Sequence, residues 1–257
     1  VPEITSLLFQ YISILKEKPP EEWLYQEQAT VANLAFEFQE KSAALQYVYG
    51  LAPRLQHYPP EDLISSNYLM KEYDPELITS FLSYLRRDNV LIEIINPESQ
   101  TEKIEEWFEV PYSINKNHMD ESEHSTDQLF LPTKNPFLPE NLTMFDEDDQ
   151  PIVQVGSNKN IRIWADRDLE FATPKSSIFL RLNLPGGLLT VEDRVNSQIY
   201  RSIVSDALNE TVYPAYLAGL SGQHRVIDSG YEIQIAGFSD KQLILLETIM
   251  GQLTNTI

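Results

Sequence analysis

Cysteine is absent from this chain, so neither a disulfide nor a thiolate metal site can hold it together. Positive charge is scarce: 19 Lys and Arg stand against 39 Asp and Glu, a formal charge of −20. A surface of that sign repels phosphate backbones, which excludes nucleic acid as a partner class, while it favours solubility and attracts basic peptides. The four histidines are His57, His118, His124 and His224. Neither His-x-x-Glu-His nor its inverted form occurs, Gly-x-Ser-x-Gly is missing, and no glycine-rich loop could cradle a phosphate. No apolar run reaches the roughly 18 residues of a membrane span, and no signal peptide opens the chain, so no membrane partner is expected. The chain starts at Val1 without a methionine, directly in an amphipathic pattern, and is expected to be an excision from something longer.

What is present is enough apolar material to fold. The 257 residues are 42% hydrophobic and 11% aromatic, which suits one large or two small globular domains with real cores. They are organised around Phe130-Leu131-Pro132-Thr133-Lys134-Asn135-Pro136-Phe137-Leu138-Pro139-Glu140-Asn141-Leu142. Its prolines forbid a helix or a central strand, yet its apolar residues are too many for a free linker. It reads as an extended strap pinned through Phe130, Leu131, Phe137 and Leu138. Acidic stretches flank it, Asp120-Glu121-Ser122-Glu123 and Asp146-Glu147-Asp148-Asp149, as at a boundary between folded units.

Before the strap, periodicity predicts helices. Ile4, Leu7, Leu8, Tyr11, Ile14 and Leu15 form one face, ended by Lys16 to Pro20; Pro19-Pro20-Glu21-Glu22 opens a second helix through Phe38. Ser42 is a plausible cap for a third, ending near Pro53, and Pro59-Pro60 begins a short fourth through Leu63 and Ile64. Asp74 and Pro75 open the clearest one, with Leu77, Ile78, Phe81, Leu82 and Leu85 as its stripe and Arg86-Arg87 closing it. Val90 to Ile95, a β-branched run, predicts a buried strand, and Trp107 to Ile114 a second extended segment. Beyond the strap, Ile152 to Val155 and Ile161 to Trp164 predict a hairpin about Gly156 to Asn160. Alternation from Ile178 to Leu184 predicts a strand stopped by Pro185-Gly186-Gly187. Thr190 and Asp193 resemble a capping box for a helix to Leu208, Pro214 starts another, Tyr231 to Ile235 alternate as a strand, and Ser239 caps a last helix. The fold class is therefore α+β, with a mostly helical first unit.

The residues that could carry chemistry are few. His118 and His124 lie among Asp120, Glu121 and Glu123, but a zinc site wants three or four ligands on rigid elements, and this stretch reads as a solvated acidic linker. His224 reads as a satisfied structural histidine. Trp23, Trp107 and Trp164 are dispersed and read as core or strand packing. Adjacent carboxylates are expected by chance among 39 acids. No catalytic, cofactor-binding or metal-binding residue is assigned.

Several stretches in chain order resemble the pitrilysin and insulin-degrading enzyme family of zinc metalloendopeptidases, the inverzincins. They are Phe36-Glu37-Phe38-Gln39-Glu40-Lys41, His57-Tyr58-Pro59, Tyr68-Leu69-Met70-Lys71-Glu72-Tyr73-Asp74-Pro75, Leu85-Arg86-Arg87-Asp88-Asn89-Val90, Glu105-Glu106-Trp107-Phe108, the strap, Leu217-Ala218-Gly219-Leu220-Ser221 and Gly237-Phe238-Ser239-Asp240-Lys241-Gln242. The resemblance implies two bowls joined by a linker, four related α+β domains enclosing a chamber where peptides are cut. It places residues 1–116 at the end of the second domain, 117–150 in the linker and 151–257 at the start of the third. The zinc motif of such enzymes sits in the first domain, so zinc is expected in the parent protein and not here. The helix from Val191 to Leu208 looks like the counterpart of the zinc helix, yet offers no histidine pair around Ser197 to Arg201. This segment alone is expected to be inactive, with peptides as substrates of the parent and self-association through uncovered strands. A periplasmic site follows from the bacterial pitrilysins, a cytoplasmic one from other members. The alternative reading is an acidic peptide-binding or interaction module that has lost its zinc-bearing half.

Overall fold

Four helices lead the chain, each begun where the apolar spacing begins: α1 (Pro2–Glu17), α2 (Glu22–Glu37), α3 (Ala44–Leu51) and α4 (Pro75–Tyr84). The computed structural model describes residues 2–18, 21–39, 41–66, 68–115, 129–144, 153–166, 173–184, 186–188 and 190–255. His118, His124, both acidic flanks of the strap, Pro19, Pro20 and Pro185 lie outside the described residues. Two compact units make up the chain, Val1–Gln26 with Glu72–Thr133, and Glu27–Lys71 with Lys134–Ile257.

In the first unit the Asp74 carboxylate accepts the Leu77 amide at 2.8 Å, capping α4 as its sequence predicts. Lys16 of α1 donates to the Leu85 carbonyl at 2.8 Å, placing a cation on the negative end of α4. The Arg87 guanidinium lies 5.2 Å over the Phe9 ring. Strands β1 (Lys103–Ile104) and β2 (Pro111–Tyr112) pair antiparallel. Their turn is shaped by Glu105, whose carboxylate accepts the Trp107 and Phe108 amides at 2.9 and 2.7 Å. Two expectations are corrected here. Val90 to Ile95 forms no strand and is largely exposed, because β-branched propensity makes a strand only where a partner supplies the ladder, and none of the described residues does. Trp107 is 85% exposed and packs no core.

In the second unit α3 is preceded by Ala43, which offers no side-chain cap; Ser42 does not take that role. The short helix after Pro59 is a single 3₁₀ turn, Pro60–Asp62. Strands β3 (Val153–Ser157) and β4 (Arg162–Ala165) form the expected hairpin, and Asn158 closes it by accepting the Asn160 and Ile161 amides at 2.8 Å each. Trp164 stands exposed on β4 and is not core.

The rest of the unit is built on β5 (Lys175–Asn183), α5 (Val191–Leu217), β6 (Leu220–Ile227), β7 (Gly230–Phe238) and α6 (Gln242–Asn255). The strand order is β5-β7-β6, antiparallel throughout. Ile233 and Ile235 of the central strand, Leu220 of β6, Val204 and Leu208 of α5, and Leu245 and Ile249 of α6 form the core. At the start of α5 the capping box is complete, with Thr190 Oγ1 accepting the Asp193 amide at 3.0 Å and Asp193 Oδ2 accepting the Thr190 amide at 3.1 Å.

Three more corrections concern this unit and the strap. Pro214 does not start a helix but lies inside α5. Its ring removes one amide donor, and its carbonyl accepts both the Ala218 amide at 3.1 Å and the Asn135 side-chain amide at 2.8 Å, so the strap clasps the helix at its proline turn. Ser239 does not cap α6; its hydroxyl donates to the Pro174 carbonyl at 3.2 Å, and a 3₁₀ turn, Ser239–Lys241, leads into the helix. The strap is pinned at one end only: Phe137 is 4% exposed and belongs to the core, whereas Phe130 is 77% exposed.

Candidate functional site

Because β7 has a strand on either side, alternation with period two lines up rows of residues across the sheet. One row is Arg181, Glu232 and Arg225. Glu232 is 3% exposed, and a carboxylate withdrawn from water is costly unless paired and hydrogen-bonded. Both its oxygens are engaged: Arg181 Nε donates to Oε2 at 2.6 Å, Arg225 Nε donates to Oε1 at 2.7 Å, and Arg225 Nη2 contacts the same oxygen. The Arg181 hydrogen bond, then that of Arg225, holds the Glu232 carboxyl below its ordinary range.

The neighbouring row on the helix side is Leu180, Ile233 and His224. His224 Nε2 lies 3.0 Å from Ser205 Oγ of α5, but its buried Nδ1 finds no partner among the described residues, so it is not the fully satisfied histidine that the sequence suggests. Burial pushes the imidazole pKa down, and the Arg201 charge adds to the effect. Arg201 Nε also donates to the His224 carbonyl at 3.1 Å, tying this point of β6 to α5. Between α5 and β6 lies a cleft of about 350 Å³, lined by Arg201, Ser205, Asn209, Gln223, Arg225 and Gln234 among others.

The pH dependence of stability follows from these two groups. A histidine whose pKa is depressed on folding takes up its proton more readily when unfolded, so its stabilising contribution is lost as pH falls below about 6.5. Glu232, also depressed, contributes stability above about 4.3 that is lost as pH falls through its folded value. Denaturation midpoints measured from pH 8 to pH 3 are expected to fall in two stages, and His224→Gln to flatten the upper one. An unchanged upper stage in that variant would rule out His224 as its source.

No local sequence signal marks this constellation. β6 carries no hydrophobic alternation, because its helix-side positions include Gly222 and His224. Without β6 there is no register to unite Arg181, Glu232 and Arg225. Gly222 is small for a physical reason, since a Cβ there would lie 2.9 Å from Ile249 Cδ1. His57 is exposed and lies away from the cleft. Among the described residues no three His, Cys, Asp or Glu side chains gather where they could hold a metal. The buried carboxylate of Glu232 is saturated by two guanidinium groups, and α5 presents Ser197, Gln198, Ile199, Tyr200 and Arg201 at the positions singled out above. These residues do not fit a zinc ion.

Compared with known proteins, residues 36–257 match the family described as "Middle or third domain of peptidase_M16". The chain is 30% identical over 262 residues to "Insulin-degrading enzyme-like 1, peroxisomal" of Arabidopsis thaliana, covering 98% of this chain and 27% of that protein. To the human insulin-degrading enzyme it is 29% identical over 263 residues, covering 98% of this chain and 26% of that one. A Schizosaccharomyces pombe relative whose name contains the words zinc protease is 27% identical, covering 97% of this chain and 27% of the relative. The crystal structure of pitrilysin superposes with a TM-score of 0.76 at 19% identity, over 98% of this chain and 28% of that one, which establishes the likeness of fold. The chain thus spans roughly a quarter of the length of the relatives it matches.

Proposed function

Since the chain belongs to the peptidase_M16 family, matching its middle or third domain, we propose that it is the non-catalytic middle segment of a zinc-dependent metalloendopeptidase. In this reading it supplies wall and linker to an enclosed chamber in which peptides are degraded, and zinc is held elsewhere in the parent protein. The observation that carries the reading is the family match running unbroken through the strap, on a structure whose buried carboxylate is already neutralised by arginine. A strap clasping α5 by Asn135 and filling its core by Phe137 suits a linker that must keep a fixed path. The charge of −20 also suits a surface that gathers basic peptides, which is the feature shared with a stand-alone peptide-binding module.

The test is metal analysis after dialysis, together with a fluorogenic peptide assay, on this chain and on a chain extended upstream through its reading frame. The short chain is expected to hold far less than about one zinc equivalent and to cleave nothing; the extended chain is expected to do both in a chelator-sensitive manner. Zinc near stoichiometry in the short chain would overturn the non-catalytic reading. An upstream frame without His-x-x-Glu-His would select the binding module instead.

A further inference from the structure

We propose that the cleft between α5 and β6 is a carboxylate-binding site that takes the C-terminal carboxylate of a short peptide, with Arg201 as its anchoring cation. The choice of a peptide rests on the reading of the chain as part of a peptide-handling protein; the choice of a carboxylate rests on the cleft itself. Arg201 spends Nε on the His224 carbonyl, which fixes the plane of the guanidinium and leaves its two terminal nitrogens to serve a ligand. Although the chain has 39 acids, no carboxylate of the described residues forms an ion pair with Arg201.

The acids that follow Arg201 on its own helix point elsewhere, and Asp193 before it is engaged by Thr190. Asp206 and Glu210 follow it by five and nine residues, which at 3.6 residues per turn carries them about 140° and about 180° around the helix. Neither lines the cleft. Glu232 does, but Arg181 and Arg225 occupy both of its oxygens, so the cleft keeps a net positive charge within a strongly negative protein. Ser205, Asn209, Gln223 and Gln234 add neutral donors around it.

The remaining wall decides which peptide end fits. Leu208, Val212 and Ile249 line the same cleft, so an apolar side chain next to the carboxylate has a surface to bury. A volume of about 350 Å³ lies at the small end of ligand pockets, of which about 300 Å³ is the lower limit, and admits the end of a peptide but not a folded chain. The negative charge of the whole molecule disfavours an acidic peptide body. The ligand is therefore neutral or basic along its length, apolar at its last residue, and free at its carboxyl terminus.

Fluorescence polarisation tests this on the chain as it stands. The probes are labelled Gly-Lys-Gly-Leu with a free carboxyl terminus and the same peptide as its C-terminal amide, with inorganic phosphate as competitor. The free acid is expected to bind at least about tenfold more tightly than the amide, a difference of about 1.4 kcal/mol. Arg201→Gln is expected to remove that difference, and Arg162→Gln, on β4, to leave it intact. Equal binding of acid and amide by the unaltered chain would overturn the proposal without recourse to any variant. So would an Arg201-dependent site that takes phosphate and ignores the peptide acid. Neither result bears on the peptidase-family reading, which zinc content and cleavage decide.

Discussion

A methyl group at Gly237 is expected to destroy the three-stranded sheet. Its φ is +123°, a region that side-chain-bearing residues rarely adopt, and an added Cβ would lie 2.1 Å from the Gly219 carbonyl oxygen and 3.0 Å from the Leu220 Cα. Those are backbone atoms, and Leu220 is the register partner of Gly237, so relief requires β6 to leave β7. The loss is expected to exceed about 4 kcal/mol, the range reserved for broken backbone geometry and ruined cores. Gly222→Ala is the informative comparison, because the nearest atoms its Cβ would meet belong to the side chains of Ile249 and Leu245 rather than to backbone. Overpacking of that kind costs roughly 1–3 kcal/mol. Guanidinium denaturation followed by circular dichroism measures both. A Gly237→Ala protein as stable as the parent would mean that β6 and β7 pair in another register.

The second large effect is expected at the strap. Phe137 is 4% exposed and packs in the core of the second unit with Val204, Leu208 and Ala215 of α5, and truncating a buried phenylalanine costs about 3–5 kcal/mol. Phe130→Ala, at 77% exposure, is expected to stay within about 0.5 kcal/mol. The asymmetry distinguishes a strap held by insertion from one merely lying on a surface. The same denaturation experiment reads it, and comparable losses for the two variants would refute the one-ended anchor. Around Phe137 the path is fixed by polar contacts as well: the Asn135 amide donates to Glu27 Oε1 at 3.1 Å, and Asn135 Oδ1 accepts the Phe137 amide at 3.0 Å.

The fold was legible where one residue's chemistry decides a local event. Asp74 and the Thr190–Asp193 pair cap their helices because a short polar side chain reaches free amides within three residues, and Asn158 closes the β3–β4 turn for the same reason. It was illegible where a partner distant in sequence decides. Val90 to Ile95 carries every local mark of a strand and forms none, while β6 carries few and forms one because β7 offers it an edge. Pro214 should stop a helix on local grounds, yet the Asn135 side chain holds its turn from 79 positions away. The candidate site belongs wholly to the second kind. Arg181 lies 51 positions from Glu232 and Arg225 seven, and only the strand register makes neighbours of them. The resemblance to a peptidase family needed no such register, since it rests on short runs of sequence in a fixed order.

The strand order β5-β7-β6 also dictates a sequence of events during synthesis. β6 and β7 are separated only by Asp228 and Ser229, so the hairpin they form is a local contact, quickly made once both have emerged. β5 waits for it. From the moment Asn183 leaves the ribosome until Gly230 follows, its pairing edge has no partner among the described residues, and the strap's Phe137 lacks Ile233, Ile235, Leu245 and Ile249 to pack against. The core of the second unit is thus a late, cooperative closure in which β7 and α6 seal elements made well before them. During that interval the nascent chain carries an open strand and an unburied phenylalanine, the condition in which a growing polypeptide most needs a chaperone's cover.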